Sequence, residues 1–182
     1  QIASSPTSPY IQPPYERMAK FRPAMPAAAK LNVGLVWSGS MTFKKHGERA
    51  QPLMRFLETF IMPGVQLYSL QKGPPEREIR ALPQGAPIVD LSPMLNDFAD
   101  TAAAIAQLDL IIMTDSAVAH LAGAMGKPVW LLLGYVAFWL WLSDRTDSPW
   151  YPSIRLFRPR AEGDWTYVFD SAQAELMNLA RL

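Results

Sequence analysis

The fold class this sequence predicts is a doubly wound α/β domain built on a parallel sheet, and three observations predict it. Short apolar runs of strand length recur along the chain: "LNVGLVW", "VQLYSL", "DLIIMT" and "PVWLLL". They are apolar almost throughout instead of alternating, the pattern of strands covered on both faces. Segments with three- and four-residue apolar spacing lie between them, and regular alternation of strand and helix implies parallel pairing.

The elements follow in order. The first 26 residues, "QIASSPTSPYIQPPYERMAKFRPAMP", hold six of the 17 prolines. Proline removes a backbone donor and fixes φ, so this stretch cannot form a long helix or a central strand. It reads as an extended connector, residues 1–30, with a short helical turn around 15–21 and little packing into the sheet domain. The globular domain then runs from Leu31 to Leu182. A buried strand over 31–37 leads through a polar, glycine-containing loop to a helix around 52–60. A strand over 65–70 follows. "GPPEREIRAL" then opens a helix after prolines tolerated in a first turn, and a short strand lies near Ile88 and Val89. In "NDFADTAAAIAQL", Phe98, Ala102, Ile105 and Leu108 mark one helix face. Next come the strand "DLIIMT", the helix "SAVAHLAGAM" and the strand "PVWLLL". A strand "IRLFR" and a last helix after Asp164, itself a suitable N-cap, complete the domain.

Composition sets further limits. With 49% hydrophobic and 18% charged residues over 182 positions, the chain is globular. Net charge is +1, from 17 basic and 16 acidic residues, so nothing global points to nucleic acid or an anionic membrane, and any anion site must be local. There is no cysteine and only two histidines, His46 and His120. That argues against disulfides and against a thiolate or histidine metal centre. The uncharged run 129–142 spans roughly 14 residues, short of the ~20 a membrane span needs. Interrupted by Gly134, it reads as core.

In doubly wound domains ligands sit at the carboxyl ends of strands, where helix N-termini present free N–H groups. Two such ends stand out. "DLIIMT" runs into Asp115 and Ser116, both favoured N-caps, and His120 lies four residues beyond Ser116 on the same helix face. Ala117, Ala119, Ala122 and Gly123 are small and admit close neighbours. A hydroxyl, an imidazole and open N–H groups suit a diphosphate, although a cap alone would also use Asp115 and Ser116. The first strand ends in Ser38, Gly39 and Ser40, where glycine permits backbone to approach a phosphate. Lys44, Lys45, His46 and Arg49 follow, as a phosphate-facing cluster or simply a solvated basic loop. The spacing fits neither a Walker loop nor the three-glycine dinucleotide fingerprint.

"GLVWSG", "LQKG", "DFADTAAAIAQLDLIIMTDSAVAHLAGAMGKPVWLLL" and "DSPWYPSIRLFR" closely resemble the carboxyl-terminal glycosyltransferase domain of bacterial tetratricopeptide-repeat proteins. That domain is similar to the heptosyltransferases and, more remotely, to O-GlcNAc transferase. The resemblance covers essentially all of 31–182 and implies a GT-B architecture, two Rossmann-like halves facing a cleft, of which this chain is the carboxyl-terminal, donor-binding half. It implies a nucleotide-diphosphate sugar as donor substrate, no metal or other cofactor, and cytoplasmic location. A protein or glycan acceptor, and the catalytic base, would come through the missing amino-terminal region.

Site residues carried over by the resemblance are Ser38, Gly39, Ser40 and Lys45 at the donor diphosphate, with Arg49 in the same basic loop. Asp115, Ser116, Ala117 and His120 stand at diphosphate and sugar, Asp97 and Phe98 at base or ribose, and Gln71 and Lys72 at the border of the cleft. The sequence departs from the family pattern in Ser116 for threonine, in Ala50 for the serine after Arg49, and in Leu140 for an arginine. Leu140 and the aromatics of "FWLWL" and "DSPWYP" leave open a degenerate transferase fold serving as a protein-interaction module. A sugar-nucleotide epimerase of related fold is a third reading.

Overall fold

A computed structural model describes residues 9–25, 29–42 and 46–181. Six strands form one sheet: β1 (Leu31–Val36), β2 (Val65–Ser69), β3 (Ile88–Asp90), β4 (Leu110–Thr114), β5 (Val129–Leu132) and β6 (Ile154–Phe157). All neighbours pair in parallel, in the order β3-β2-β1-β4-β5-β6. The chain winds outward from β1 in one direction and, after β4, in the other. The order therefore reverses between β1 and β4, which opens a crevice at their carboxyl ends.

Helices are α1 (Tyr15–Met18), α2 (His46–Arg49), α3 (Leu53–Phe60), α4 (Glu76–Arg80), α5 (Phe98–Ala106), α6 (Ala117–Ala124) and α7 (Trp165–Arg181). They divide between two cores. Ile111 and Met113 of β4 face one core with Ala102 and Ile105 of α5 and Ala119 and Ala122 of α6. Leu110 and Ile112 face the other with Phe56 and Phe60 of α3 and Phe169 of α7. Successive strand residues thus meet different helices, which is why the strands are apolar at every position rather than every second one. Phe56 meets Phe169 edge-on at 5.1 Å between ring centres, a favoured aromatic geometry.

Local caps hold the helix starts. Asp97 accepts from the Asp100 amide at 2.8 Å, and Asp164 from the Tyr167 amide at 3.1 Å. For α3, whose N-cap position is proline, a carboxylate from another helix does the work: Leu53 N–H donates to Glu78 at 2.8 Å.

Two expectations are corrected. The proline-rich segment, where described, packs onto the domain. Phe21 is fully buried in the α5 side of the core. Arg17 pairs with Asp97 at 2.6 Å, and Lys20 with Asp100 at 2.7 Å. Tyr10 N–H donates to the Ala124 carbonyl at 2.9 Å. Proline forbids regular ladders, but an irregular strand of chain can still bury an aromatic ring and satisfy its backbone piecemeal. The run 129–142 is likewise not all core. β5 is buried, and so is Trp141 in a 3-10 turn (Trp139–Trp141), whereas Tyr135, Val136, Phe138 and Trp139 are exposed. Among the described residues, no helix is long and apolar enough to cross a membrane.

Candidate functional site

The crevice at the reversal point is a cleft of about 650 Å³, lined from the loops after β1, β2 and β3 and from the start of α6. Its size is that of a small-molecule site. Val36, Ser38, Gly39, Ser40, Met41 and Thr42 form one wall; Leu70 to Pro75 another; Leu95, Asn96, Asp97, Phe98 and Thr101 a third; Ser116, Ala117 and Val118 the fourth.

The loop after β1 is held from below. Trp37 is fully buried, and its indole N–H reaches Glu78 at 3.2 Å. The buried Gln71 side chain accepts from the amides of Trp37 and Ser38 at 3.0 and 2.9 Å. It donates to the carbonyls of Ser38 and Lys72 at 3.0 and 2.9 Å. Gln71 therefore borders the cleft with its amide already committed to backbone. Ser40 and Thr42 share a hydroxyl hydrogen bond at 2.8 Å.

The β1 loop and the β4 corner touch at Gly39. A Cβ there would lie 2.8 Å from the Asp115 carbonyl oxygen and 3.4 Å from Ser116 Cβ, so only glycine lets the two strand ends meet this closely. Asp115 turns away from the cleft to pair with Arg49 at 2.7 Å, in a bridge whose carboxylate side is 6% exposed. Ser116 is the N-cap of α6 and accepts from the Val118 amide at 3.3 Å. The first turn of α6, with Ala117 exposed, opens into the cleft, and its dipole favours an anion there.

Asp97 and Phe98 stand together on the opposite wall, Phe98 58% exposed. The Arg17 guanidinium holds the Asp97 carboxyl below its ordinary range. Lys72 donates to the Ser92 carbonyl at 3.0 Å and lies 3.4 Å from Glu76. His120 is not part of the cleft wall. Its ring stacks on Trp141 at 5.1 Å, and its Nδ1 lies 3.2 Å from the Tyr151 hydroxyl. Burial pushes its pKa down, with the Asp115 charge acting the other way, so the pocket favours the uncharged imidazole. Lys45 lies outside the described residues, as does Lys44.

The structure therefore gathers Ser38, Gly39, Ser40, Gln71, Lys72, Asp97, Phe98, Ser116 and Ala117 around one cleft. It sets Asp115 and Arg49 behind the corner, and His120 on the Trp141 side of α6. Sequence reasoning missed Gly73, Pro74, Pro75, Leu95 and Asn96, which the strand-end rule applied to β2 and β3 would have found, and also Val36, Met41, Thr42, Leu70, Thr101 and Val118. Leu140 sits in the 3-10 turn, its carbonyl accepting from the Trp150 indole at 3.0 Å. The guanidinium that serves this loop is Arg158, which donates to the carbonyls of Trp141, Leu142 and Arg145 at 2.6, 2.7 and 2.7 Å.

Residues 30–138, from β1 through the whole cleft, match the glycosyltransferase family 9 (heptosyltransferase) family. The chain belongs to glycosyltransferase family 9. This family 9 chain is 31% identical over 180 residues to Protein FlbA of Caulobacter vibrioides, a match taking in 94% of the chain and 29% of FlbA. Its fold matches that of the E. coli ADP-heptose lps heptosyltransferase II, with a TM-score of 0.66 at 15% identity, over 93% of the chain and 54% of that protein. The family 9 chain thus spans less than a third of FlbA and about half of the heptosyltransferase.

Proposed function

We propose that this chain is the donor-binding, carboxyl-terminal half of a metal-independent GT-B glycosyltransferase, holding the diphosphate of a nucleotide sugar where the β1 and β4 ends meet. One observation carries the reading: the cleft lies at the strand-order reversal, where the 38–40 loop comes into van der Waals range of the α6 N-terminus at Gly39. In glycosyl transfer the bond from the anomeric carbon to the diphosphate breaks as an acceptor oxygen attacks, and negative charge grows on the departing diphosphate. The α6 N-terminus, the Ser38, Ser40 and Ser116 hydroxyls and the Lys45 cation are the groups to meet that charge, and donors fixed before the reaction are the most effective kind. The exposed Phe98 ring and the Asp97 carboxylate serve the base or ribose, with Lys72 at the border. A role for His120 at the sugar end requires the sugar to reach past the start of α6 to its Trp141 side, where the imidazole stacks.

The acceptor, a protein or glycan, and the base that deprotonates it belong to an opposing wall outside this chain, in a longer protein with tetratricopeptide repeats. The fraction of the heptosyltransferase that the chain spans supports this division. Alone, the chain binds donor weakly and completes no turnover, since an open cleft leaves the diphosphate in water and the acceptor unpositioned. The reading carries with it the cytoplasmic location that the resemblance implies. Titration calorimetry of the chain with UDP, ADP and GDP tests it: one should bind, and heat from none would overturn the assignment. Sugar transfer by the chain alone would overturn the half-enzyme reading.

A second reading, a degenerate transferase fold used for protein interaction, is favoured by the exposed Tyr135, Val136, Phe138 and Trp139 on one loop. It predicts no nucleotide binding in the same titration.

A further inference from the structure

We infer that Gln71 is a positioning residue that sets the phosphate-facing loop, acting through the backbone of Trp37 and Ser38 and not by touching the donor; this rests on the donor-site reading. The β1–β2 ladder ends at Leu35 opposite Ser69, with one further bond from the Leu70 amide to the Leu35 carbonyl. Beyond it the two chains part. The carboxamide of Gln71 bridges the gap, presenting a carbonyl and an N–H₂ where a strand would present a peptide group. Its oxygen takes the Trp37 and Ser38 amides, and its nitrogen reaches the carbonyls of Ser38 and Lys72, all between 2.9 and 3.0 Å.

The residue is 2% exposed, and both hydrogens and both lone pairs of its carboxamide are used. A buried amide left without a partner is costly, so the loop takes the one path on which all four bonds form. That path carries Gly39 to the Asp115 carbonyl and Ser116, at a separation only glycine tolerates. Gln71 thereby fixes the distance between the two halves of the diphosphate corner. The polar residue at the end of β2 is a brace under the site.

Two substitutions in the full 182-residue chain test this. Gln71→Met keeps shape but strips every bond. Gln71→Glu keeps the two acceptor bonds but sets a carboxylate against two carbonyls. At low pH the protonated acid can donate to one of them. The charged groups nearby, Lys72 beside it and Glu76 and Glu78 of α4, are common to wild type and variant, so affinity is compared as a ratio at each pH. We expect Gln71→Met to bind the preferred nucleoside diphosphate at least about tenfold more weakly, with its Trp37 and Ser38 amides exchanging faster. Gln71→Glu should match it above neutral pH and regain most of the affinity in acid. Equal affinity of wild type and variants would overturn the inference, as would a pH-independent deficit in Gln71→Glu, which would mark a packing defect. Should Gln71→Met fail to fold, the Gln71→Glu series carries the test. Absence of nucleotide binding by the wild type would sink the donor-site reading instead. The loop-setting role would then stand or fall on exchange at Trp37 and Ser38, and unchanged protection in the variants would overturn it.

Discussion

Substituting Gly39 by alanine probes the contact on which the cleft depends. The added methyl would sit 2.8 Å from the Asp115 carbonyl oxygen, 3.4 Å from Ser116 Cβ and 3.8 Å from Ser116 Cα. A carbon against a carbonyl oxygen ordinarily keeps about 3.3 Å or more, so roughly half an ångström must be found. Neither side yields easily. Ser38 is tied by Gln71, and the corner is tied by the β4 ladder and by the Arg49 bridge to Asp115. Overpacking of this kind costs about 1–3 kcal/mol. For a chain of this length each kcal/mol lowers the melting temperature by about 2–4 °C, so Gly39→Ala should melt roughly 2–12 °C lower. Nucleoside diphosphate affinity should fall as well, because relieving the strain moves apart the two strand ends that line the cleft. Gly47 is the internal control: nothing lies within 4 Å of a Cβ built there, and in α2 alanine should be neutral or slightly stabilising. Calorimetric melting and nucleotide titration of both variants measure this. A Gly39→Ala protein that melts and binds like wild type would show that the two strand ends are free to separate.

Phe21→Ala should destabilise the domain by about 3–5 kcal/mol, the usual cost of removing a fully buried aromatic ring; a loss below about 1 kcal/mol in denaturant melts would return the proline-rich segment to the status of a loose connector. Asp100 is held at about 2, below the usual 3.8, chiefly by its hydrogen bond from Lys20 and against the pull of burial. A carboxyl depressed by folding adds stability that is complete above its unfolded pKa and is lost as pH falls through the folded value. Asp100→Asn should therefore be less stable than wild type at neutral pH, and the gap should narrow between about pH 4 and pH 2; a constant gap in melting temperature across that range would refute the coupling.

The order of elements was legible because each is written within a few neighbouring residues. β4 lies over Leu110–Thr114 and α6 over Ala117–Ala124, where the apolar run and the small-residue helix place them. The Ser116 and Asp164 caps were legible for the same reason, since a cap and the amide it accepts are two or three residues apart. The strand-end rule then led to the loop of Ser38, Gly39 and Ser40 and to the Ser116 corner, which the structure brings together at Gly39.

What stayed hidden was which side chains pair across long stretches of chain. Gln71 reads as a polar residue bordering the cleft at a strand end, yet its amide partners lie 33 and 34 residues earlier. Asp115 reads as a cap or phosphate ligand, yet it spends its carboxylate on Arg49, 66 residues away. Four-residue spacing correctly puts His120 on α6, but the Trp141 ring and Tyr151 hydroxyl that claim it come from the chain after β5, 21 and 31 residues later. Arg17 and Asp97, 80 residues apart, tie a segment that composition alone would leave loose. Helix, strand and cap are short-range choices of backbone hydrogen bonding and apolar period, so the sequence by itself determined them. Which side chains meet across the carboxyl ends of the sheet depends on strand order and crossover, set by the burial of the whole core, and only the tertiary structure decided it.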